Sequence, residues 1–134
     1  MNFGKLIKIA SIQLAREMDT FAHQYQLTGT QMSILNYLYE HSGEDISQKD
    51  LVTEFGVKGS TMSVIVHRME ERNLVTRQIV GRQKYLNLTP NAQTYITAIQ
   101  NFFQKDNERL IAGFDTNELA VIAKFLQQIG GKHD

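Results

Sequence analysis

Residues 57–75 carry apolar and polar side chains with the period of an α-helix. The apolar positions are spaced i, i+3, i+4 and i+7, which predicts one narrow buried stripe made of Met62, Ile65, Val66 and Met69. The helical repeat then gives an outward face of Ser60, Ser63, Val64, His67, Arg68 and Glu71. This face is small, polar and partly basic. By itself the segment is typical of an amphipathic surface helix, although the same profile suits a helix that enters a DNA major groove.

The residues before this helix predict a second, shorter one. Ser47 is a suitable N-cap for the segment SQKDLVTEFG, which closes at Gly56. The apolar face of this segment consists of Leu51, Val52 and Phe55. A short helix, a tight glycine-containing turn and a second helix with an apolar inner stripe make a helix-turn-helix.

A β-hairpin is predicted directly after the helix-turn-helix. Residues 74–79 alternate as a strand, residues 80–84 form a turn, and residues 85–88 form the return strand. The turn contains two cations, Arg82 and Lys84. A hairpin with a basic tip in this position is the wing of a winged helix.

Long amphipathic segments flank the predicted winged helix. Residues 3–25 repeat apolar positions every three or four residues, which predicts a helix of about 22 residues. Thr89 and Pro90 start another long helix, and a last helix starts at Asp115, with Glu118 completing a capping box, and ends at a glycine pair.

The N-terminal helix is apolar on more than one side near its start. Leu6, Ile9 and Ile12 lie beside its main apolar stripe. Such a surface needs a second partner, and another copy of the chain is the simplest one. The alternative is burial within one subunit.

Together these elements predict a mostly α fold with a small β-hairpin wing (α+β). The winged helix-turn-helix lobe covers residues 28–88, and Thr28 with Gln31 forms a capping box at its start. Residues 1–26 and 90–130 form the dimerisation helices. The chain has no internal repeat and no low-complexity linker, so residues 1–134 are expected to form a single domain.

The composition narrows the class of protein. Hydrophobic residues make up 42% of the chain, too many for a disordered one. No apolar run approaches about 18 residues and no secretory signal is visible, so we expect a cytoplasmic protein without a membrane partner. Cysteine is absent, which excludes disulfides, thiolate metal sites and thiol-based redox sensing.

The net charge of zero gives no support for a nucleic-acid partner, but the distribution of the charges along the chain does. Residues 47–88 carry seven basic and four acidic side chains, a net charge of +3 that the two ends of the chain offset. The seven cations are Lys49, Lys58, Arg68, Arg72, Arg77, Arg82 and Lys84. The excess coincides with the predicted helix-turn-helix and wing.

The sequence contains no catalytic or metal-binding motif. The histidines fall on separate segments without HxxxH or HExxH spacing: His23, His41, His67 and His133. No GxSxG, P-loop or GxGxxG sequence occurs. We therefore expect no enzyme activity, no cofactor and no metal site.

The order of these elements resembles the MarR family of winged-helix transcription regulators. The most specific local matches are STMSVIVHRMEERNLVTR, similar to that family's recognition helix and first wing strand, and YLNLTPNAQ, similar to its return strand and next helix start. The resemblance implies a homodimer with intertwined terminal helices, whose two lobes read a pseudo-palindrome in double-stranded DNA.

The resemblance also implies which residues bind DNA. In the recognition helix they are Lys58, Ser60, Thr61, Ser63, Val64, His67 and Arg68. Arg82 and Lys84 are expected to bind DNA from the wing, and the helix before the turn is expected to contact the DNA backbone through Ser47, Gln48 and Lys49. For each polar residue the alternative is a solvated side chain, and for Arg68 it is also an ion pair with Glu71.

An effector cavity for a small aromatic or phenolic compound is a further implication of the resemblance. Its candidate lining residues are Met18, Met32, Tyr37 and Tyr39. A plain hydrophobic core is the alternative, because Met and Tyr at helical spacing are more often core residues.

Two positions depart from the family pattern. Val80 stands where the family carries an aspartate two residues before the wing arginine, here Arg82, and the wing tip is about three residues shorter. Val64 stands where an arginine is common. A valine packs on a thymine methyl but cannot bind guanine in a bidentate way, so we predict an A·T-leaning contact at Val64.

The sequence and the resemblance thus predict a homodimeric, sequence-specific DNA-binding regulator, which is either a repressor or an activator. The resemblance further implies a repressor that a small effector releases from DNA. The alternative is a winged-helix protein–protein adaptor that has lost DNA binding. Zero net charge and the short wing favour this alternative.

Overall fold

The computed structural model describes residues 1–131, which fold mostly into α-helices with one small antiparallel sheet. The elements in chain order are α1 (Phe3–His23), α2 (Gly29–Glu40), β1 (Ile46–Ser47), α3 (Gln48–Phe55), α4 (Gly59–Glu71), β2 (Val75–Val80), β3 (Gln83–Leu88), α5 (Gln93–Ile111) and α6 (Thr116–Ile129). A short 3₁₀ turn, Pro90–Ala92, precedes α5. The predicted fold class, with long helices at both ends of a winged helix-turn-helix, is confirmed.

The chain divides into two compact units, Met1–Gln100 and the part that begins at Asn101. The boundary between the two units lies within α5. The first unit holds the whole winged helix-turn-helix together with α1. In the second unit no residue of α6 is buried.

Side-chain caps define where most of the helices begin. Thr28 with Gln31 and Asp115 with Glu118 form the two predicted capping boxes, at the starts of α2 and α6. Ser47 caps α3 as expected and also forms a capping box, because the carboxylate of Asp50 accepts a hydrogen bond from the Ser47 backbone N–H.

Helix α4 occupies the middle of the segment 57–75 and ends before the predicted first strand of the hairpin. Lys58 is its extended N-cap, and Asn73 has a φ of +56°, which ends the helix. Leu74 is then fully buried and Val75 begins β2. The predicted stripe thus ends at Met69 within α4, and Leu74 and Val75 belong to the predicted hairpin.

The sheet has the strand order β1-β3-β2, and β3 pairs antiparallel with both neighbours. Val80 pairs with Gln83, so Gly81 and Arg82 form a two-residue turn at the wing tip. Gly81 has a φ of +64°, a left-handed backbone conformation that glycine adopts without strain. The sequence did not predict β1, a two-residue strand in which Ile46 pairs with Leu86.

The core of the first unit lies between α2, α3, α4 and the sheet. Met62, Val66 and Met69 from the predicted stripe of α4 are buried there. They share the core with large side chains from the other elements, including Met32, Leu35, Leu51, Leu74 and Ile99. The core fixes which side of α4 faces outward.

Helix α1 leaves most of its apolar surface uncovered. Ala22 is its one buried residue, while Leu6, Ile9 and Ile12 are exposed. In residues 1–131 no helix combines the length and the apolarity needed to cross a membrane.

Candidate nucleic-acid interface

The outward face of α4 carries the residues predicted to read DNA. Lys58, Ser60, Thr61, Val64, His67 and Arg68 are all exposed, and Ser63 is half-buried. Half of the Val64 surface is exposed, although the residue is apolar. The core on the opposite side explains this arrangement, because burying Met62, Val66 and Met69 turns the small polar side chains outward.

A groove of about 420 Å³ joins α3, the start of α4 and the wing. Three cations from separate predicted groups meet there: Lys49, Arg82 and Lys84. The remaining lining residues are Gln48, Val52, Gly59, Ser63 and Gln83. The groove therefore combines a positive wall with the polar side of α4, and Gln83 is a lining residue that the sequence did not single out.

The charges of the groove are available to an external anion. Within residues 1–131 none of the three groove cations takes part in an ion pair. Like charges close together repel one another, and an anion between them relieves the repulsion. The groove is suited to a phosphate chain.

Two residues expected to touch the DNA backbone have hydrogen-bond partners inside the protein. The Ser47 hydroxyl is buried and accepts a hydrogen bond from the Asp50 backbone N–H over 3.0 Å. Gln48 is also buried, and its Nε2 donates to the Ser63 hydroxyl oxygen over 2.9 Å. Of the three residues predicted in this helix, Lys49 alone is exposed.

Two of the seven cations in residues 47–88 have structural partners. The guanidinium of Arg72 donates to the carbonyl oxygens of Gln26 and Tyr25, the second over 3.2 Å, and so ties the end of α4 to the α1–α2 turn. Arg77 forms a half-buried ion pair with Glu70, with 3.1 Å between Nη2 and Oε1. The cations left for an external anion are Lys49, Lys58, Arg68, Arg82 and Lys84.

His67 and not Arg68 is the partner of Glu71. The distance between His67 Nε2 and Glu71 Oε2 is 3.5 Å, and both side chains are about two-thirds exposed. In the described part of the chain Arg68 has no ion pair. The open choice for Arg68 is thus resolved in favour of a free cation on the flank of α4.

The four candidate effector residues differ in their surroundings. Met32 is fully buried in the core, and the sulfur of Met18 accepts a hydrogen bond from the Ser33 hydroxyl over 3.6 Å. Tyr37 and Tyr39 are two residues apart on α2, so they point to nearly opposite sides of the helix.

The Tyr37 ring packs against two other aromatic rings. It lies 4.1 Å from the His41 ring and 6.0 Å from the Phe55 ring, measured between centroids. Burial raises the pKa of the Tyr37 phenol, and the nearby carboxylates of Glu54, Asp50 and Glu44 raise it further. The ring itself contributes to the packing between α2 and α3.

The histidines lie on separate elements. His23 ends α1, His41 follows α2 and His67 lies on α4, while His133 falls outside the described residues. Within residues 1–131 no group of three or more His, Asp or Glu side chains is arranged to hold a metal ion.

Comparisons with known proteins give the same family as the order of elements. A family model described as MarR family matches residues 25–84. A search of curated protein sequences found no match. The crystal structure of the transcription regulator MarR from Oenococcus oeni is 37% identical to this chain, with 96% of this chain and 98% of that chain covered and a TM-score of 0.84.

Two structures of MepR from Staphylococcus aureus share the fold at lower identity. The MepR–DNA complex is 22% identical, with 96% of both chains covered and a TM-score of 0.88. MepR in a DNA-binding conformation is 21% identical over the same shares, with a TM-score of 0.89. Since the identity to the Oenococcus oeni regulator extends over nearly the whole of both chains, the protein belongs to the MarR family of transcription regulators.

Proposed function

We propose that the protein is a homodimeric, sequence-specific DNA-binding repressor that acts on a pseudo-palindromic operator. The observation that carries this proposal is the groove between α3, α4 and the wing. Its three unpaired cations, Lys49, Arg82 and Lys84, lie beside the exposed polar face of α4. Phosphate contacts position such a protein and the helix face reads the bases.

The dimensions of α4 support entry into the major groove. Its 13 residues span about 20 Å, and its outward side chains near the start are small. The major groove is about 12 Å wide and admits an α-helix. Because Lys58 makes no side-chain cap, the first N–H groups of α4 also remain available to a phosphate.

The uncovered apolar surface of the terminal helices supports a dimer. Leu6, Ile9 and Ile12 are exposed on α1, and α6 exposes a second set that includes Val121 and Leu126. Exposed apolar surface on each helix marks an interaction site. A second copy of the chain would cover it and present two α4 helices to one DNA duplex.

The solved relatives support DNA as the partner. MepR, which shares the fold, was crystallised as a complex with DNA.

Release of the DNA by a small aromatic or phenolic effector is a prediction from the family. A rise in thermal stability with one member of a panel of phenols would support it, provided that the same compound weakens DNA binding.

The competing proposal is a protein–protein adaptor that no longer binds DNA. The zero net charge and the two-residue turn at the wing tip favour it. It differs from the first proposal in one measurable respect, because an adaptor has no preference among DNA sequences.

Selection of binding sites from random duplex DNA tests the proposal. A dimeric reader enriches a pseudo-palindrome whose half-site centres are about 34–36 Å apart, one turn of the duplex. Recovery of unrelated sequences after repeated rounds, with no common half-site, would contradict sequence-specific binding. The protein–protein adaptor would then be the remaining proposal.

A further inference from the structure

Gln48, at the start of α3, is held in place against α4. Only 9% of its surface is exposed. Its Nε2 donates to Ser63 Oγ over 2.9 Å, while its Oε1 is buried and has no hydrogen-bond partner in the described residues. Ser63 itself is half-buried and lines the groove. The bond therefore joins a fixed amide to a hydroxyl on the reading face.

We infer that Gln48 is a positioning residue that makes the Ser63 hydroxyl a hydrogen-bond donor toward the base it reads. This inference rests on the proposed function, because it assigns the direction of one contact between α4 and DNA. A hydroxyl has one proton and two acceptor lone pairs. The Gln48 amide occupies an acceptor site of Ser63, so the proton is left to point into the groove.

The chemistry of the amide supports this direction. If the amide were reversed, its oxygen would accept from Ser63 and its NH₂ group would be buried without a partner. Unpaired buried N–H groups are rarer in proteins than carbonyl oxygens with too few partners. The arrangement with the nitrogen toward Ser63 is therefore the favoured one.

The unpaired oxygen also indicates that Gln48 does not serve stability. A buried acceptor without a partner destabilises the folded state, and an apolar side chain of similar size avoids that cost. A leucine at this position should therefore leave the thermal stability unchanged or raise it. A glutamine is useful here because of what it does to Ser63.

A hydroxyl that donates selects base edges that accept. In the major groove these are purine N7, guanine O6 and thymine O4, whereas the amino groups of adenine and cytosine are donors. Ser63 should thus favour an accepting group at one base position in each half-site. The expected preference is about three- to tenfold, the range for a single neutral hydrogen bond.

The test compares site selection and affinity ratios for the wild type, S63A, Q48L and Q48E. S63A and Q48L should lose the preference at the same single position, and Q48L should melt no lower than the wild type. A glutamate only accepts, so in Q48E the Ser63 proton turns inward. The preference should then change toward bases that present an amino group.

A charge-matched control separates the effect of the Ser63 hydrogen-bond direction from the effect of the added negative charge. Gln83 lines the same groove from the wing and has no contact with Ser63 among the hydrogen bonds of residues 1–131. Q83E adds the same negative charge and should weaken binding to all sequences alike, with the preference at the Ser63 position kept.

The outcomes are distinguishable. If Q48L and Q48E keep the wild-type preference while S63A loses it, Gln48 does not set the direction and the inference is overturned. If S63A itself keeps every preference, Ser63 reads no base and the inference is overturned as well. If the wild type shows no sequence preference, the proposed function fails and this inference with it.

Discussion

Arg82 lies in the turn of the wing, where it shares the groove with Lys49 and Lys84. No aspartate braces it, because Val80 occupies that position and pairs with Gln83 through the backbone. An arginine without a carboxylate partner is free to bind phosphate or to enter a minor groove. In the proposed complex the position of Arg82 would therefore be set by the DNA and not by a contact within the wing.

Replacing Arg82 by alanine should weaken binding to all DNA sequences alike. The salt dependence should also flatten, by about 0.9 in the slope of log K against log salt for each phosphate that Arg82 neutralises. Fluorescence anisotropy at several salt concentrations measures both effects. K105A removes the same charge from α5 outside the winged lobe and serves as the control. Unchanged affinity in R82A would exclude the wing from the interface.

Val64 is the apolar residue on the outward face of α4. Its methyl groups are suited to a thymine methyl, so the wild type should prefer A·T at this point of each half-site. V64R should move the preference to G·C, because arginine binds guanine O6 and N7 in a bidentate way. Site selection with both proteins measures this, and a strong G·C requirement opposite Val64 in the wild type would contradict the account.

Single residues differ in how far the sequence predicted them. Helical spacing was enough for the exposed face of α4, because the apolar stripe fixes the opposite side. It was not enough for Arg72, whose carbonyl partners on Gln26 and Tyr25 are more than 40 residues away in the chain. The basic count of residues 47–88 thus overstated the charge available to DNA.

At the scale of elements, the orientation of α3 depends on its capping box. Ser47 and Asp50 satisfy each other's backbone N–H groups at the point where β1 passes into α3. The same helix carries Lys49 and Gln48, which face the groove. Loss of the cap should therefore lower the stability of α3, and any change in DNA binding should follow from that loss of stability.

S47A should lower the free energy of unfolding by about 1 kcal/mol, within a range of roughly 0.5–2 kcal/mol for removal of an N-cap. Urea denaturation with unchanged m-value measures this. S60A is the matched control, because Ser60 is exposed on α4 and caps no helix. Equal stability of S47A and the wild type would mean that the cap contributes nothing to α3.

Helices and the hairpin were predictable because their apolar periods and caps are local signals. Strand β1 was not, since two residues carry no alternation and their pairing depends on β3, about 40 residues later. The groove was predictable in its cations but not in its shape. Gln48, Ser63 and Gln83 meet only because the sheet and α3 pack together.

At the scale of the whole molecule, the proposed dimer would cover the exposed apolar residues of α1. I9E should weaken self-association by roughly a hundredfold or more, because an unpaired carboxylate in an apolar interface costs several kcal/mol. Sedimentation or light scattering measures the change. T53E places the same charge on an exposed polar site of α3 and should leave the dimer intact. A dimeric I9E protein would mean that Ile9 lies outside the interface.

The central claim is that two α4 helices and their flanking cations read one DNA duplex. Anisotropy titrations with the selected duplex and a scrambled duplex, at about 50–200 mM salt, test it most directly. Residues 47–88 of each copy offer five cations without an ion pair, so log K should fall linearly with log salt with a slope between about −4 and −9. The selected duplex should bind at least about 10³-fold more tightly. Equal affinities for the two duplexes and no dependence on salt would contradict the account.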